Sequence, residues 1–308
     1  MPQTNIPSWH FANEKGRFSV TSFKGHKLAC IVDIKYPECN KVAILCPGLY
    51  ASKCHVLLTT IAEGLPVNSI RFDFRGNGES EGDDDWSFGG YVDEAKDDLH
   101  AVVDTCSSYN LEVVCIIGHS RSATTVLLHA AMFDDVPLVV SLAGRYDMRQ
   151  GLEKHLSPEK LKAFSVLTAG TGMGKQADVL SSSLENDKDI LKKQGTEVDE
   201  KVEFVSPDGR RRVITKKCVL DRLTLDLRQY FSQIKHTKKI LIIHGSEDRT
   251  VPCEDATQLA NALPQNKTKV VIIERASHSL VDSQAIKTQV VQTIENFIVE
   301  NGLSCKKA

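Results

Sequence analysis

The sequence lacks several features that would point away from a soluble globular protein. No apolar run approaches the length of a membrane span, and the first residues contain no apolar core of the kind that a secretory signal needs. The net charge is only −2, so no excess of basic residues favours nucleic acid or an anionic membrane surface as a partner. We therefore expect a cytoplasmic protein that binds no nucleic acid and is not stably inserted in a membrane.

Paired cysteine motifs are also absent. The nine cysteines include no C-x-x-C pair, which argues against a zinc ribbon or a dithiol redox site. Several lie within apolar runs, such as Cys46 and Cys115, where thiols usually behave as small hydrophobic side chains. These features predict reduced thiols, in keeping with the expected cytoplasmic location.

Short apolar runs rich in β-branched residues alternate with helical segments along most of the chain. The runs barely alternate between apolar and polar residues, which is typical of strands covered on both faces in a parallel sheet. Apolar residues at helical spacing, as in 92–106 and 286–298, predict helices that pack on this sheet. Phe18–Phe23 and Leu28–Ile34 predict an antiparallel hairpin that leads into it. The expected strands of the core are Val42–Cys46, Ser69–Phe74, Val113–Ile117, Leu138–Leu142, Ile240–Ile243 and Val270–Ile273.

The alternation stops between residues 148 and 231, where the chain becomes more polar. Pro158–Leu167 and Leu180–Lys193 in this stretch have helical patterns, and the regular alternation resumes at Lys239. We interpret the stretch as an insertion between two strands of the core. The expected organisation is a core in two parts with a cap between them: 1–147, 148–231 and 232–308.

A small hairpin is expected within the inserted stretch. Val202–Val205 and Arg212–Thr215 flank the sequence Ser-Pro-Asp-Gly, whose residues favour a tight turn. The adjacent basic run, Arg210–Arg212, is expected to lie on a solvated face of this hairpin.

One expected strand runs directly into a serine at a sharp turn. Val113–Ile117 is followed by Gly118, His119, Ser120, Arg121 and Ser122, and then by an apolar helix. A serine at such an apex needs small residues two places before and after it, because strand and helix cross closely there. Gly118 meets this requirement, whereas Ser122 stands where a glycine is usual. Taken alone, the motif leaves open a serine that merely caps the helix.

Two later segments supply the partners that a nucleophilic serine requires. A serine hydroxyl is a weak nucleophile and needs a base, usually a histidine that a carboxylate orients. Asp248 follows the fifth expected strand and His278 follows the sixth. Because the carboxyl ends of parallel strands gather functional loops at one edge, Ser120, Asp248 and His278 are expected to meet there. Glu247, next to Asp248, is expected to be a solvated loop charge.

These segments together resemble the α/β-hydrolase superfamily, and within it the serine-hydrolase branch of cinnamoyl or feruloyl esterases, monoacylglycerol lipases and S33-like peptidases. Cys46–Lys53, with Pro47 where histidine is common, resembles the family's oxyanion loop, and Asp73–Ser80 resembles its D-x-R-G-x-G-x-S loop. The resemblance covers about 29–146 and 239–299, and the insertion is similar in position and length to the cap of the cinnamoyl-esterase-like members. It implies an α/β-hydrolase fold, with a mostly parallel central sheet, flanking helices and an inserted cap.

The resemblance also implies a set of roles. Ser120 would become acylated, His278 would act as general base, and Asp248 would orient the imidazole. The backbone N–H groups of Leu49 and Arg121 would hold the oxyanion. The expected activity is hydrolysis of a small-molecule carboxylic ester without a cofactor. Thioesterase, amidase or peptidase, and acyltransferase activities stay open, as do a ligand-binding or receptor-like protein with weak turnover and the oligomeric state.

Histidines elsewhere show no metal-ligand spacing. His55, His100, His129 and His155 lie in expected helices without a pattern such as H-E-x-x-H, so we expect no metal ion. His119 is expected to pack behind the serine turn, and His244 is expected to be structural.

Overall fold

A central sheet organises the protein, for which a computed structural model describes residues 9–82, 89–152, 156, 201–206 and 209–306. Eight strands of this sheet lie in the order β1-β2-β4-β3-β5-β6-β9-β10, and β7 and β8 form a separate hairpin. Pairing is antiparallel among β1, β2 and β4 and parallel from β4 to β10, so the sheet is mostly parallel as predicted. The strands are β1 (Arg17–Thr21), β2 (Lys27–Asp33), β3 (Lys41–Cys46), β4 (Asn68–Phe72), β5 (Glu112–His119), β6 (Leu138–Leu142), β7 (Lys201–Val205), β8 (Arg211–Thr215), β9 (Lys239–Gly245) and β10 (Thr268–Ile273).

Helices connect the strands and cover the sheet. A π-helical segment, Glu94–Leu99, joins α2 to α3 without a break in the helical run. No helix within the described residues is both long enough and apolar enough to cross a membrane. The helices are α1 (Val56–Gly64), α2 (Tyr91–Asp93), α3 (His100–Ser108), α4 (Arg121–Met132), α5 (Lys216–Leu223), α6 (Leu227–Phe231), α7 (Glu254–Ala262) and α8 (Gln284–Glu300).

The core lies on both faces of the sheet. Successive residues of a strand point to opposite faces, and in β3 Ile44 belongs to one apolar cluster while Leu45 belongs to the other. The first cluster includes Val102 of α3 and Val126 of α4. The second cluster includes residues of α1 and α8, such as Val290. Burial on both faces explains why the core strands are continuous apolar runs.

The observed strands follow the expected ones closely. The fourth strand ends at Phe72, two residues before the expected end, and β5 continues to His119, immediately before Ser120. The β7–β8 hairpin is confirmed. The expected helices Pro158–Leu167 and Leu180–Lys193 lie outside the described residues. The hairpin, α5 and α6 all lie between the neighbouring strands β6 and β9, and the cap at 148–231 stays a prediction.

Two cysteines are joined, in contrast to the reduced thiols that the sequence predicts. Cys39, between β2 and β3, forms a disulfide with Cys305, which follows α8 and is 266 residues away in sequence. The backbone N–H of Cys305 also donates to the carbonyl of Pro66 at 2.8 Å. The expectation of reduced thiols is therefore wrong for this pair, while the seven other cysteines are free. The cytoplasmic location stays a prediction.

Candidate active site

Loops after three parallel strands of the central sheet bring Ser120, Asp248 and His278 together. Ser120 follows β5, Asp248 follows β9, and His278 follows β10, all at the carboxyl edge of the sheet. Nε2 of His278 lies 2.8 Å from Oγ of Ser120, and Nδ1 of His278 lies 2.7 Å from Oδ2 of Asp248. Each side chain is thus within hydrogen-bond reach of the next, as a nucleophile, a base and an orienting acid require.

The turn at Ser120 is strained. Its φ of 56° and ψ of −114° lie in a region that residues other than glycine rarely adopt. The backbone N–H of Ser120 donates to the carbonyl of Leu142 on β6 at 2.8 Å, which helps to hold this conformation. A Cβ on Gly118 would lie 2.1 Å from the carbonyl oxygen of Ser122, so only glycine allows strand and helix to cross here.

Ser122, which departs from the usual glycine pattern, has a structural use. Its side chain is fully buried, and its Oγ donates to the carbonyl of Cys46 at 2.7 Å. The same Oγ accepts the backbone N–H of His119 at 2.9 Å. The hydroxyl therefore ties the serine turn to the end of β3, where the expected oxyanion loop begins.

The carboxylate of Asp248 is fixed by four donors. Oδ1 accepts the backbone N–H groups of Thr250 and Val251, each at 2.8 Å, while Oδ2 faces His278 and, at 3.1 Å, Nε2 of His244. Burial opposes ionisation of Asp248, but the hydrogen bonds from His244 and His278 outweigh it and hold its pKa well below the usual range. Asp248 consequently keeps its negative charge to a lower pH than an ordinary aspartate does.

His244 is a supporting residue whose partner the sequence did not reveal. Its Nε2 faces two acceptors, Oδ2 of Asp248 and the carbonyl of Val251 at 3.1 Å, so that nitrogen carries the proton. The expectation of a structural role is correct, and the structure adds that His244 helps to fix the carboxylate of Asp248.

His119 lies in the active-site cavity, and the expectation that it packs behind the turn is wrong. Its Nε2 is 2.8 Å from the carbonyl oxygen of His278, which can only accept, so Nε2 donates. Burial lowers the pKa of His119 to about 3, so the ring is neutral at ordinary pH. The bond anchors the backbone of the loop that carries His278.

The residues expected to form the oxyanion hole lie on either side of Ser120. Gly48 packs so closely that a Cβ there would be 3.2 Å from Cβ of Ser120, and Leu49 lines the same cavity as Ser120. Arg121 is the first residue of α4, and the N–H groups of a first helical turn favour negative charge. The two segments therefore adjoin Ser120, and the role of their backbone N–H groups as oxyanion donors stays a prediction.

The side chain of Arg121 turns away from the cavity and anchors α4. Its Nε is 3.0 Å from both carboxylate oxygens of Glu94 on the π-helical segment, and the guanidinium lies 4.1 Å from the ring centroid of Tyr91. Thr125 also donates to Glu94 at 3.0 Å. This buried network fixes the first turn of α4, and hence the position of the Arg121 N–H group.

The loop that resembles D-x-R-G-x-G-x-S supports the oxyanion loop. The side chain of Asp73 is fully buried, forms an ion pair with Lys53, and accepts the backbone N–H of Lys53 at 2.6 Å. It also accepts the backbone N–H of Glu79 at 2.9 Å. Because Lys53 lies four residues after Leu49, these bonds hold the end of the oxyanion loop in place.

The β7–β8 hairpin packs against the oxyanion loop from outside. Arg212 is only 1% exposed, its guanidinium lies 4.4 Å from the ring centroid of Tyr50, and its Nε donates to Oγ of Ser206 at 2.7 Å. Arg210 reaches the carbonyl of Gly76 at 3.2 Å. The expectation of a solvated arginine face is therefore wrong for Arg212, since this side chain packs on an aromatic ring.

A cavity of about 590 Å³ opens above Ser120 and His278. It carries both signs of charge, because Glu247 and Arg249 line it together with neutral polar side chains. Glu247 thus faces the cavity rather than only the solvent. The described residues of the lining are Gly48, Leu49, Ala51, His55, His119, Ser120, Glu247, Arg249, Thr250, Ser277, His278 and Ser279.

The chain is similar in sequence to a known family and to a yeast protein. A family model described as "Serine aminopeptidase, S33" matches residues 63–284. A putative uncharacterized protein of Saccharomyces cerevisiae, YDL057W, is 27% identical, with 87% of this chain and 82% of the yeast protein covered.

Two solved structures share the arrangement of the sheet and helices. Est1E from Butyrivibrio proteoclasticus, solved with ferulic acid bound, superposes with a TM-score of 0.63 at 21% identity, covering 91% of this chain and 98% of Est1E. The Pyrococcus furiosus esterase Pf2001 gives a TM-score of 0.61 at 17% identity, covering 92% of this chain and 89% of the esterase. At such low identity these structures report on the fold alone.

Proposed function

The chain belongs to the serine aminopeptidase S33 family and has the α/β-hydrolase fold, and from this premise we propose that it hydrolyses carboxylic esters through an acyl-serine intermediate. The observation that carries the proposal is the continuous series of contacts from Ser120 through His278 to Asp248, at 2.8 and 2.7 Å. A serine that merely caps a helix needs neither contact.

Acylation would begin with attack of Oγ of Ser120 on the ester carbonyl. Nε2 of His278 takes the hydroxyl proton, and Asp248 stabilises the imidazolium and its orientation. The carbonyl oxygen becomes an oxyanion between the backbone N–H groups of Leu49 and Arg121. His278 then returns the proton to the departing alkoxide, which leaves as an alcohol.

Deacylation would repeat these steps with water as the nucleophile. His278 removes a proton from water, the hydroxide attacks the acyl-serine, and the acid leaves as Ser120 regains its proton. Loss of one oxyanion donor typically lowers the rate by about 10² to 10³. Two buried contacts would act indirectly, by holding the two donors in place. They are the ion pair of Arg121 with Glu94 and the bonds between Asp73 and Lys53.

Hydrolysis of a peptide with a free amino terminus is a second candidate. The family description names an aminopeptidase, and Glu247 in the cavity lining offers a carboxylate for a substrate ammonium group. An ester is favoured here because the insertion is similar in position to the cap of esterase-like members, and because the neighbour Est1E binds ferulic acid. The Glu247 carboxylate is the feature that separates the two candidates.

A substrate panel tests the proposal. It comprises p-nitrophenyl esters of increasing acyl length, methyl ferulate, an acyl thioester and aminoacyl p-nitroanilides. We expect ester turnover with the highest kcat/KM and covalent labelling by a fluorophosphonate probe. Turnover of the anilides alone, lost in Glu247→Gln, would support the aminopeptidase instead. Absence of both labelling and turnover would favour a binding protein.

The pH dependence of ester hydrolysis is a further expected outcome. The base must be neutral to accept the proton of Ser120, so kcat/KM should fall as the pH is lowered into the acidic range. The pKa values of Asp248, His119 and His55 all lie below their usual ranges, so each of these groups takes up a proton only at a lower pH than is ordinary for its type. We therefore expect log kcat/KM to fall with a slope of one.

The measurement is a pH profile of kcat/KM on a neutral ester, with leaving-group ionisation corrected for. A slope of two would mean that a second group must also be deprotonated for activity. A rate independent of pH from acid to neutral would contradict a histidine base.

A further inference from the structure

A cluster of polar side chains lies at the far end of the helix that carries the serine turn. His129 is in the last turn of α4, His100 begins α3, and Asp135 lies between α4 and β6. His129 is nine residues from Ser120, which is about 14 Å along a helix. The cluster is therefore separate from the active site.

The histidine nitrogens of this cluster make no hydrogen bond of good geometry within the described residues. The side chain of His129 is completely buried, and within the described residues neither of its ring nitrogens has a hydrogen-bond partner. Nδ1 of His100 is likewise buried without a hydrogen bond of good geometry, although it and Nε2 of His129 both face Oδ2 of Asp135. Buried polar atoms without a well-formed hydrogen bond destabilise the folded state, so three such atoms together call for an explanation.

The spacing of the three groups fits a metal ion. Oδ2 of Asp135 lies 3.2 Å from Nδ1 of His100 and 3.5 Å from Nε2 of His129, and one ligand atom of each residue lies within 4.8 Å of the others. Zinc–nitrogen and zinc–oxygen bonds of about 2.0–2.2 Å in a tetrahedron separate neighbouring ligand atoms by roughly 3.3–3.6 Å. The two distances from Asp135 lie close to that value.

We propose that His100, His129 and Asp135 bind a divalent transition-metal ion, with Zn²⁺ as the ion that their ligand set fits best. Two imidazoles and one carboxylate are a known zinc ligand set, and the fourth position would be taken by water. The side chains of His100 and Asp135 are each about a quarter exposed, which provides a route for ion and water. The absence of a spacing such as H-E-x-x-H predicted no metal ion, but a local pattern cannot reveal ligands that come from three separate segments.

Neighbouring groups both support and limit the site. Phe133 stacks on the ring of His100 at 3.6 Å and lies 4.9 Å from the ring of His129, which fixes both orientations. Lys238 is a buried cation nearby, although its Nζ donates to the carbonyl of Val136 at 2.9 Å and lies 3.7 Å from Asp134. The positive charge of Lys238 should weaken binding of a cation. Nδ1 of His129 also lacks a hydrogen-bond partner within the described residues, and such partners typically raise metal affinity by about 10–100-fold.

Equilibrium dialysis of the full chain against Zn²⁺ tests the proposal. We expect one additional Zn²⁺ bound by the wild type relative to Asp135→Asn, which preserves shape and affects a partly exposed side chain. His129→Gln should show the same loss, whereas exposed His236→Asn should bind as the wild type does. His278→Ala should also retain the ion, which separates this site from the active-site histidines.

Two further readouts separate a metal site from other outcomes. Saturating Zn²⁺ should raise the Tm of the wild type by about 2–5 °C and leave the Tm of Asp135→Asn unchanged. With Co²⁺, the spectrum should lack thiolate charge-transfer bands, because no cysteine is among the ligands. Equal Zn²⁺ binding by wild type and Asp135→Asn would mean an ordinary aspartate–histidine contact only and would overturn the proposal. Thiolate bands that persist in Asp135→Asn would overturn it as well.

Discussion

Replacing Ser120 by alanine should lower ester turnover by about 10⁴-fold or more and abolish labelling by a fluorophosphonate probe. The change removes only Oγ, the atom that lies 2.8 Å from Nε2 of His278. His278→Ala should cause a loss of similar size, because a serine hydroxyl without a base is a weak nucleophile. The measurements are kcat on a p-nitrophenyl ester and the labelled fraction of protein.

Ser279 provides a matched control for this experiment. It lines the same cavity, and its Oγ lies 3.0 Å from Oγ of Ser277 rather than beside the base. Ser279→Ala should therefore keep both labelling and turnover. If wild type and Ser120→Ala label equally, with circular dichroism and Tm showing both to be folded, the nucleophile is another residue.

The change Asp248→Asn should lower kcat by about 10⁴-fold through the tautomer of His278. Oδ1 of Asp248 accepts two backbone N–H groups, from Thr250 and Val251, so the amide oxygen of asparagine must take that position. The amide NH₂ then occupies the position of Oδ2 and donates to Nδ1 of His278. The proton of the ring is consequently held on Nε2, which cannot accept the proton of Ser120.

Glu247→Gln is the matched control for the acid. Glu247 is the adjacent carboxylate in the cavity, and Nδ1 of His278 is bonded to Asp248 instead. We expect Glu247→Gln to change ester turnover far less than Asp248→Asn does. Nitrogen NMR of the His278 ring should report the altered tautomer only in Asp248→Asn. Near wild-type activity of Asp248→Asn would show that the orienting acid is elsewhere.

The parts of the fold that the sequence predicted are those set by local pattern. The core strands are continuous apolar runs because both of their faces are buried. The motif around Ser120 can be recognised in the sequence because the close crossing of strand and helix needs Gly118. The prediction that Ser120, Asp248 and His278 meet then followed from their positions, each just after a predicted strand. Their mutual contacts required the three-dimensional structure.

The parts that could not be predicted depend on contacts between distant segments. Cys39 and Cys305 are 266 residues apart, and no local pattern marks them as partners. Arg212 belongs to a basic run that is typical of a solvated face, yet it packs on Tyr50. Glu94 and His244 support the site through Arg121 and Asp248, and nothing in their immediate sequence indicates these partners.

The hydroxyl of Ser122 has a consequence for consensus mutagenesis of this protein. Restoring the glycine that the family pattern prefers would remove the bonds to the carbonyl of Cys46 and the N–H of His119. Polar groups left unpaired in the interior cost about 1–3 kcal/mol each, so Ser122→Gly should lower the stability of the protein although it restores the family pattern. The hydroxyl links the two segments that carry Leu49 and Arg121, so Ser122 helps to place them relative to each other although it departs from the usual glycine.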